Sequence, residues 1–204
     1  MFKSLSLKVI IFGFIFTFFS SFGQSFFIGL FNPSVRDALN ISHGQFGSIY
    51  ATATLLSSFL FIWVGKKIDD INVFRFAIYV TVLLSFSCFF FSKISSIVFL
   101  FIAIFLMRFS GQGMMSHTAS TTISRYFTKS RGKALSIGWF GLSVAEFILP
   151  VTIIYLLTIY NWQNIWIFIS LLVLVFLPIA SYFLIKELNL DSRENAENNE
   201  VKNK

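Results

Sequence analysis

Met107 to His117 reads MRFSGQGMMSH, and it follows ten residues, Ile97 to Leu106, of which nine are Ile, Val, Phe or Leu. A full charge at Arg108, so deep in an apolar run, decides how the chain is read. At the centre of a membrane helix Arg costs roughly 2.5–3.5 kcal/mol on the insertion scale, while each Leu, Ile, Phe or Val returns about 0.3–0.6. The strongly apolar residues between Ile97 and Phe109 outweigh the one Arg. The helix therefore inserts, and its charge needs a protected place.

The rest of the chain is built in the same way. Of 204 residues 56% are hydrophobic, 29 are Phe, and the mean hydropathy is +0.78. A water-soluble fold of this length could not hide so many long apolar runs. A bilayer core needs about 20 mostly apolar helical residues, and six runs qualify. They lie near 7–30, 46–64, 74–92, 97–115 with a helical extension towards 126, 134–157 and 162–185. The first has Lys3 and Lys8 ahead of it, as a signal peptide would, but its apolar character continues to Phe31, and five further spans follow. A six-helix bundle over 1–188 is expected. The polar stretch 189–204, rich in Asn and Glu, is expected to be a disordered cytoplasmic tail.

Charge sets the orientation. Of the 16 Lys and Arg residues, thirteen fall on one side of these spans, Arg108 lies within a span, and only Arg36 and Lys93 fall on the other side. The positive-inside rule puts both termini in the cytoplasm. The net charge of +7 is thereby explained by topology, and a nucleic-acid partner loses its support.

The opening stretch has an echo at SFGQSFF, where Gly23 and Gln24 stand 88 positions before Gly111 and Gln112. The same offset lays the second span on the fifth and the third on the sixth. Three spans per copy force the two copies to enter the membrane from opposite sides. The expected fold is all-α, with six transmembrane helices as two inverted three-helix repeats, an arrangement whose binding sites lie near the midplane.

Between the second and third spans, GKKIDDINVFR runs from Gly65 to Arg75. It resembles the signature loop of the major facilitator superfamily: Gly65 and Asp69 match, and Arg75 stands for the terminal cation. RFSGQG in the fourth span is similar to that family's Arg-and-Gly motif. RYFTKSRGKALSIGWFGLSVAEFILP, from Arg125 to Pro150, resembles its monocarboxylate and oxalate/formate branch, as does LNISHGQFGSIYATATLLSS. The resemblance reaches about Glu187 and implies half of a major facilitator fold. It implies a secondary transporter of a small solute such as an organic anion, working with a second six-helix half, either a second copy or a missing C-terminal half. It also implies that Gly65, Asp69 and Arg75 serve as a gating loop, with Asp69 holding a helix of the other half. Three positions depart from the pattern: Asp70 stands where Arg is usual, Asn72 where Gly is frequent, and Glu146 where a small residue is the rule.

Arg108 and Glu146 reach similar depths from opposite faces. Two readings stay open for them. They form a structural ion pair, or Arg108 attracts an anionic solute while Glu146, which unlike Arg can titrate, carries a coupled proton. Helical spacing places Arg108, Gln112, Met115, Ala119 and Thr122 on one stripe. Gln24 is expected to join Gln112 across the repeats, as a solute contact or an interhelical hydrogen bond. Gly138, Gly141 and Ala145 are a packing stripe, His117 a neutral hydrogen-bonded histidine, and Cys88 a small buried hydrophobe.

Enzyme motifs fail. GQG lacks the strand and third glycine of a dinucleotide turn, and His43 and His117 have no metal-ligand spacing. The sequence calls for no cofactor and no metal. The competing reading is a membrane scaffold or inactive fragment that transports nothing.

Overall fold

The computed structural model describes residues 2–186; the tail assigned to 189–204 lies outside the described residues. Among the described residues the regular structure is helical, and six stretches are long and apolar enough to cross a membrane. They are Leu5–Gly23, His43–Ile68, Val73–Ser92, Ile97–Tyr126, Arg131–Leu157 and Trp162–Ile185. The helices are α1 (Phe2–Ser20), α2 (Ser25–Leu30), α3 (Asn32–Leu39), α4 (His43–Val64), α5 (Val73–Ser92), α6 (Ile97–Met107), α7 (Ser116–Tyr126), α8 (Arg131–Leu157) and α9 (Trp162–Ile185).

Local chemistry sets several boundaries. Pro33 sits in the first turn of α3, where its missing N–H costs nothing. Asn40 ends that helix in the left-handed region at φ 53°. Ser42 then caps α4 through a reciprocal box: Gln45 N–H donates to the Ser42 hydroxyl, and Ser42 N–H donates to the Gln45 side chain. Ser96 caps α6 by accepting from Phe99 N–H.

The first span departs from the uninterrupted run expected over 7–30. A short 3₁₀ turn, Ser21–Gly23, follows α1, and Gln24 is extended at φ −82°, ψ 154° before α2 begins. The cause is tertiary. Gly23 is pressed against the backbone of the fourth span, with the Met107 carbonyl, Gln112 N and Gly111 Cα all where its Cβ would stand. A straight helix would carry that contact past its partner.

The spans pack in definite pairs: α1 on α8, α5 on α9, α4 on α6, and the first span on the fourth. Small residues allow the closest approaches, as expected where lipid tails supply no hydrophobic drive between helices. Gly141 faces the Phe14 carbonyl, and the Thr17 hydroxyl donates to the Gly138 carbonyl at 2.7 Å. Near the start of α9, Trp166 is fully buried among the rings of Phe27, Phe31 and Phe91, with centroids at 5.4, 4.9 and 4.8 Å. Other surfaces are apolar and bare. Phe147 is 83% exposed and Val151 73%, which suits lipid or a partner helix and not water.

Candidate functional site

The fourth span is not one uniform helix. Arg108–Met115 forms a π-helix between α6 and α7. Such wide turns are rare and concentrate at functional sites. Two glycines, Gly111 and Gly113, lie within it, and the Ser110 hydroxyl anchors it by donating to the Leu106 carbonyl at 2.7 Å, with Ser87 Oγ 3.2 Å away. The extra residue per turn corrects the stripe expected from 3.6 spacing. Met115, Ala119 and Thr122 turn into the core and are buried. The open face carries Arg108, Gln112, Ser116 and Ser120 instead, four residues apart at each step.

This face lines a cavity of about 340 Å³. Gly113 and His117 flank the row, α4 contributes Ser57, Ser58 and Phe61, and α8 contributes Trp139. The Trp139 indole N–H donates to Ser120 Oγ at 3.1 Å. Hydroxyls, an amide, an indole and a guanidinium thus line one cavity between membrane-spanning helices. Polar groups at that depth belong to a wet or ligand-filled space.

Arg108 is only 8% exposed. Its Nη1 donates to the Gly23 carbonyl at 3.0 Å, and its guanidinium carbon lies 5.3 Å from the centre of the Tyr50 ring. The break at Gln24 makes the first contact possible, because it leaves the Gly23 carbonyl out of helical pairing. Both partners are neutral. Arg108 Nε has no hydrogen-bond partner, and among the described residues no carboxylate lies within ion-pair distance of the guanidinium. The Arg108–Glu146 ion pair read from sequence is therefore not formed. Glu146 is exposed on α8, two turns from Trp139 and on the same helical face. Gln112 is exposed on the cavity wall, whereas Gln24 is half-buried beyond the break and does not line the cavity. Gly23, not Gln24, is what the first span brings to Arg108.

The loop after α4 begins with a 3₁₀ turn, Gly65–Ile68. Asp69 accepts from Arg125 Nη2 at 2.6 Å, and the same nitrogen donates to the Ile68 carbonyl at 3.3 Å. Asp69 thus has a partner on the fourth span, besides any helix of another half. Asp70 pairs with Lys67 at 3.2 Å, while Arg75 is exposed on the first turn of α5 and joins no ion pair among the described residues. His117 Nε2 lies 3.0 Å from the Gly65 carbonyl. A carbonyl can only accept, so Nε2 carries the proton.

Tyr50, Phe61, Arg125 and Trp139 are among the participants that sequence reasoning missed. Arg125 is 56 positions from Asp69 and Tyr50 is 58 from Arg108, and no local spacing signals contacts of that range.

The fold and the cavity define a multi-pass, all-α membrane protein with a polar site between its helices. The family profile of the Major Facilitator Superfamily matches residues 13–203. The chain belongs to that superfamily, whose members are secondary transporters of small solutes and not enzymes. No curated protein and no solved structure gives a match to the chain.

Proposed function

We propose that the chain is the N-terminal half of a secondary transporter for a small organic anion of the monocarboxylate type. The observation that carries this reading is the state of Arg108: a positive charge at membrane depth, on the wall of a polar cavity, whose partners among the described residues are neutral. A carbonyl and an aromatic face stabilise a guanidinium without neutralising it. An anion entering the cavity supplies the missing charge. Gln112 stands beside Arg108 to orient that anion, and Gln24 is assigned to the neighbouring first span as a contact reached in another conformation. Glu146, exposed on the Trp139 face of α8, is the group that takes up a coupled proton.

Gly65, Asp69 and Arg75 are read as the gating loop, and the Asp69–Arg125 contact ties that loop to the helix bearing Arg108. Both termini are assigned to the cytoplasmic face of the cytoplasmic or plasma membrane, on the thirteen-to-two distribution of cations. The helix pairs support two inverted repeats. An 88-residue offset turns the pair of first and fifth spans into fourth and second, and returns the first–fourth and third–sixth pairs to themselves. A second six-helix half closes the cavity from the other side, since six helices supply one wall for alternating access.

Reconstitution tests the proposal. Liposomes holding the purified chain, with its oligomeric state established, are assayed for uptake of labelled monocarboxylates with and without a proton gradient. Saturable uptake that Arg108→Gln abolishes is expected of the assembled transporter. Equal uptake by parent and variant would remove Arg108 from the site.

A further inference from the structure

Besides the cavity beside Arg108, a smaller one of about 190 Å³ lies at the loop end of α4, lined by Phe61, Ile62, Gly65, Lys66, Asp69 and His117. Two residues, Phe61 and His117, line both spaces. Their rings meet edge to face, with centroids 5.4 Å apart and planes at 88°. From this shared wall we infer that Phe61 and His117 form a two-ring partition separating the solute cavity from an inner vestibule that opens on the signature loop.

The surroundings hold both rings in place. His117 stands on α7 and is tied across to the loop by its Nε2–H donating to the Gly65 carbonyl at 3.0 Å. Phe61 is seated between two glycines. A Cβ on Gly65 would stand 3.2 Å from the Phe61 ring, and one on Gly113 would stand 3.1 Å from it. Gly113 belongs to the π-helix that also presents Arg108 and Gln112, and Gly65 opens the turn that leads to Asp69. One aromatic side chain therefore touches the segment that holds the solute and the segment that begins the gating loop. Movement of either segment reaches the other through the ring, and removal of the ring joins the two spaces. His117 acts as a positioning residue: its hydrogen bond holds the partition against Gly65.

Past the partition, Lys66 is exposed on the vestibule wall. An anion released there meets a flexible cation in place of the fixed guanidinium of Arg108, a suitable step from a held site to an exit.

The inference rests on reading the cavity as the solute's place, but its test needs no solute. The chain carries one cysteine, Cys88, which is buried, so single introduced thiols report cleanly. Ser58→Cys marks the cavity and Lys66→Cys the vestibule. Each is exposed in membrane vesicles of either orientation to a membrane-impermeant maleimide, and its labelling rate is measured. From the loop side, Lys66→Cys should react at least about tenfold faster than Ser58→Cys. Adding Phe61→Ala or His117→Ala should bring the Ser58→Cys rate up to that of Lys66→Cys. His117→Gln, which keeps an N–H for the Gly65 carbonyl, should restore protection. Equal rates in the unaltered background would overturn the partition, and so would protection that survives both alanine variants. Should Phe61→Ala fail to fold, the two His117 variants decide alone. Loss of anion uptake with the labelling pattern intact would count against the solute assignment and leave the partition standing.

Discussion

Gly23 and Gly111, 88 residues apart, cross backbone to backbone: a Cβ added to either would stand 2.7 Å from the other's Cα. The echo seen in the sequence is thus also a contact, and it lies one residue from the break at Gln24 and within the π-helix that begins at Arg108. Alanine at either position has no flexible side chain to push aside. Overpacking of this kind costs about 1–3 kcal/mol and more where backbone must move. Gly23→Ala and Gly111→Ala are expected to lower the thermal midpoint of the purified protein or abolish its monodispersity. Gly47→Ala, with nothing within 4 Å of the added carbon, is the control, and helix propensity favours it by up to about 1 kcal/mol.

Arg108 should separate function from stability. A buried charge without a carboxylate partner contributes little net stabilisation, because desolvation offsets its hydrogen bond and ring contact. Arg108→Met should keep or raise the thermal midpoint while anion binding is lost. A drop of several degrees, with binding retained, would make Arg108 a structural residue.

Since Arg108 and Glu146 are not paired, their effects should be independent. In a double-mutant cycle with Arg108→Gln and Glu146→Gln, the stability changes should add to within about 0.5 kcal/mol. A coupling energy above about 1 kcal/mol would mean that the two charges meet in another state of the protein.

The Asp69–Arg125 contact is short, yet the Asp69 side chain is 69% exposed and Arg125 only 13%. Solvent screening limits such a pair to about 0–1 kcal/mol. Asp69→Asn should therefore shift the melting midpoint slightly and slow uptake strongly, if the loop gates. Arg125→Gln should cost more stability, because it also loses the Ile68 carbonyl.

Ser85 and Ser170 exchange two hydrogen bonds, each hydroxyl donating to the other's backbone carbonyl at 2.9 Å. Alanine at one site leaves the opposite bond in place. Each substitution should cost about 0.6 kcal/mol, the mean for hydrogen bonds between membrane helices, and both together about twice that. A double mutant no worse than either single would show that the bonds form only as a unit.

Six spans could be counted from the sequence because insertion is a local sum. Hydropathy over about 20 residues decides it, and even Arg108 is outvoted by its own neighbours. Capping was equally local, as at Ser42 and Gln45. The shared face of Arg108 and Gln112 was legible too: both line one cavity, since four residues bring a helix roughly back to the same face. What the tertiary structure decided is everything that depends on which backbones touch. The break at Gln24 and the π-helix at Arg108–Met115 lie where two glycine backbones press together, and that crossing moves Met115, Ala119 and Thr122 from the expected wall into the core. Arg108 found the Gly23 carbonyl and not Glu146, and Asp69 found Arg125. Contacts between residues 56 or 85 positions apart follow from how helices pack, and helical periodicity carries no information at that distance.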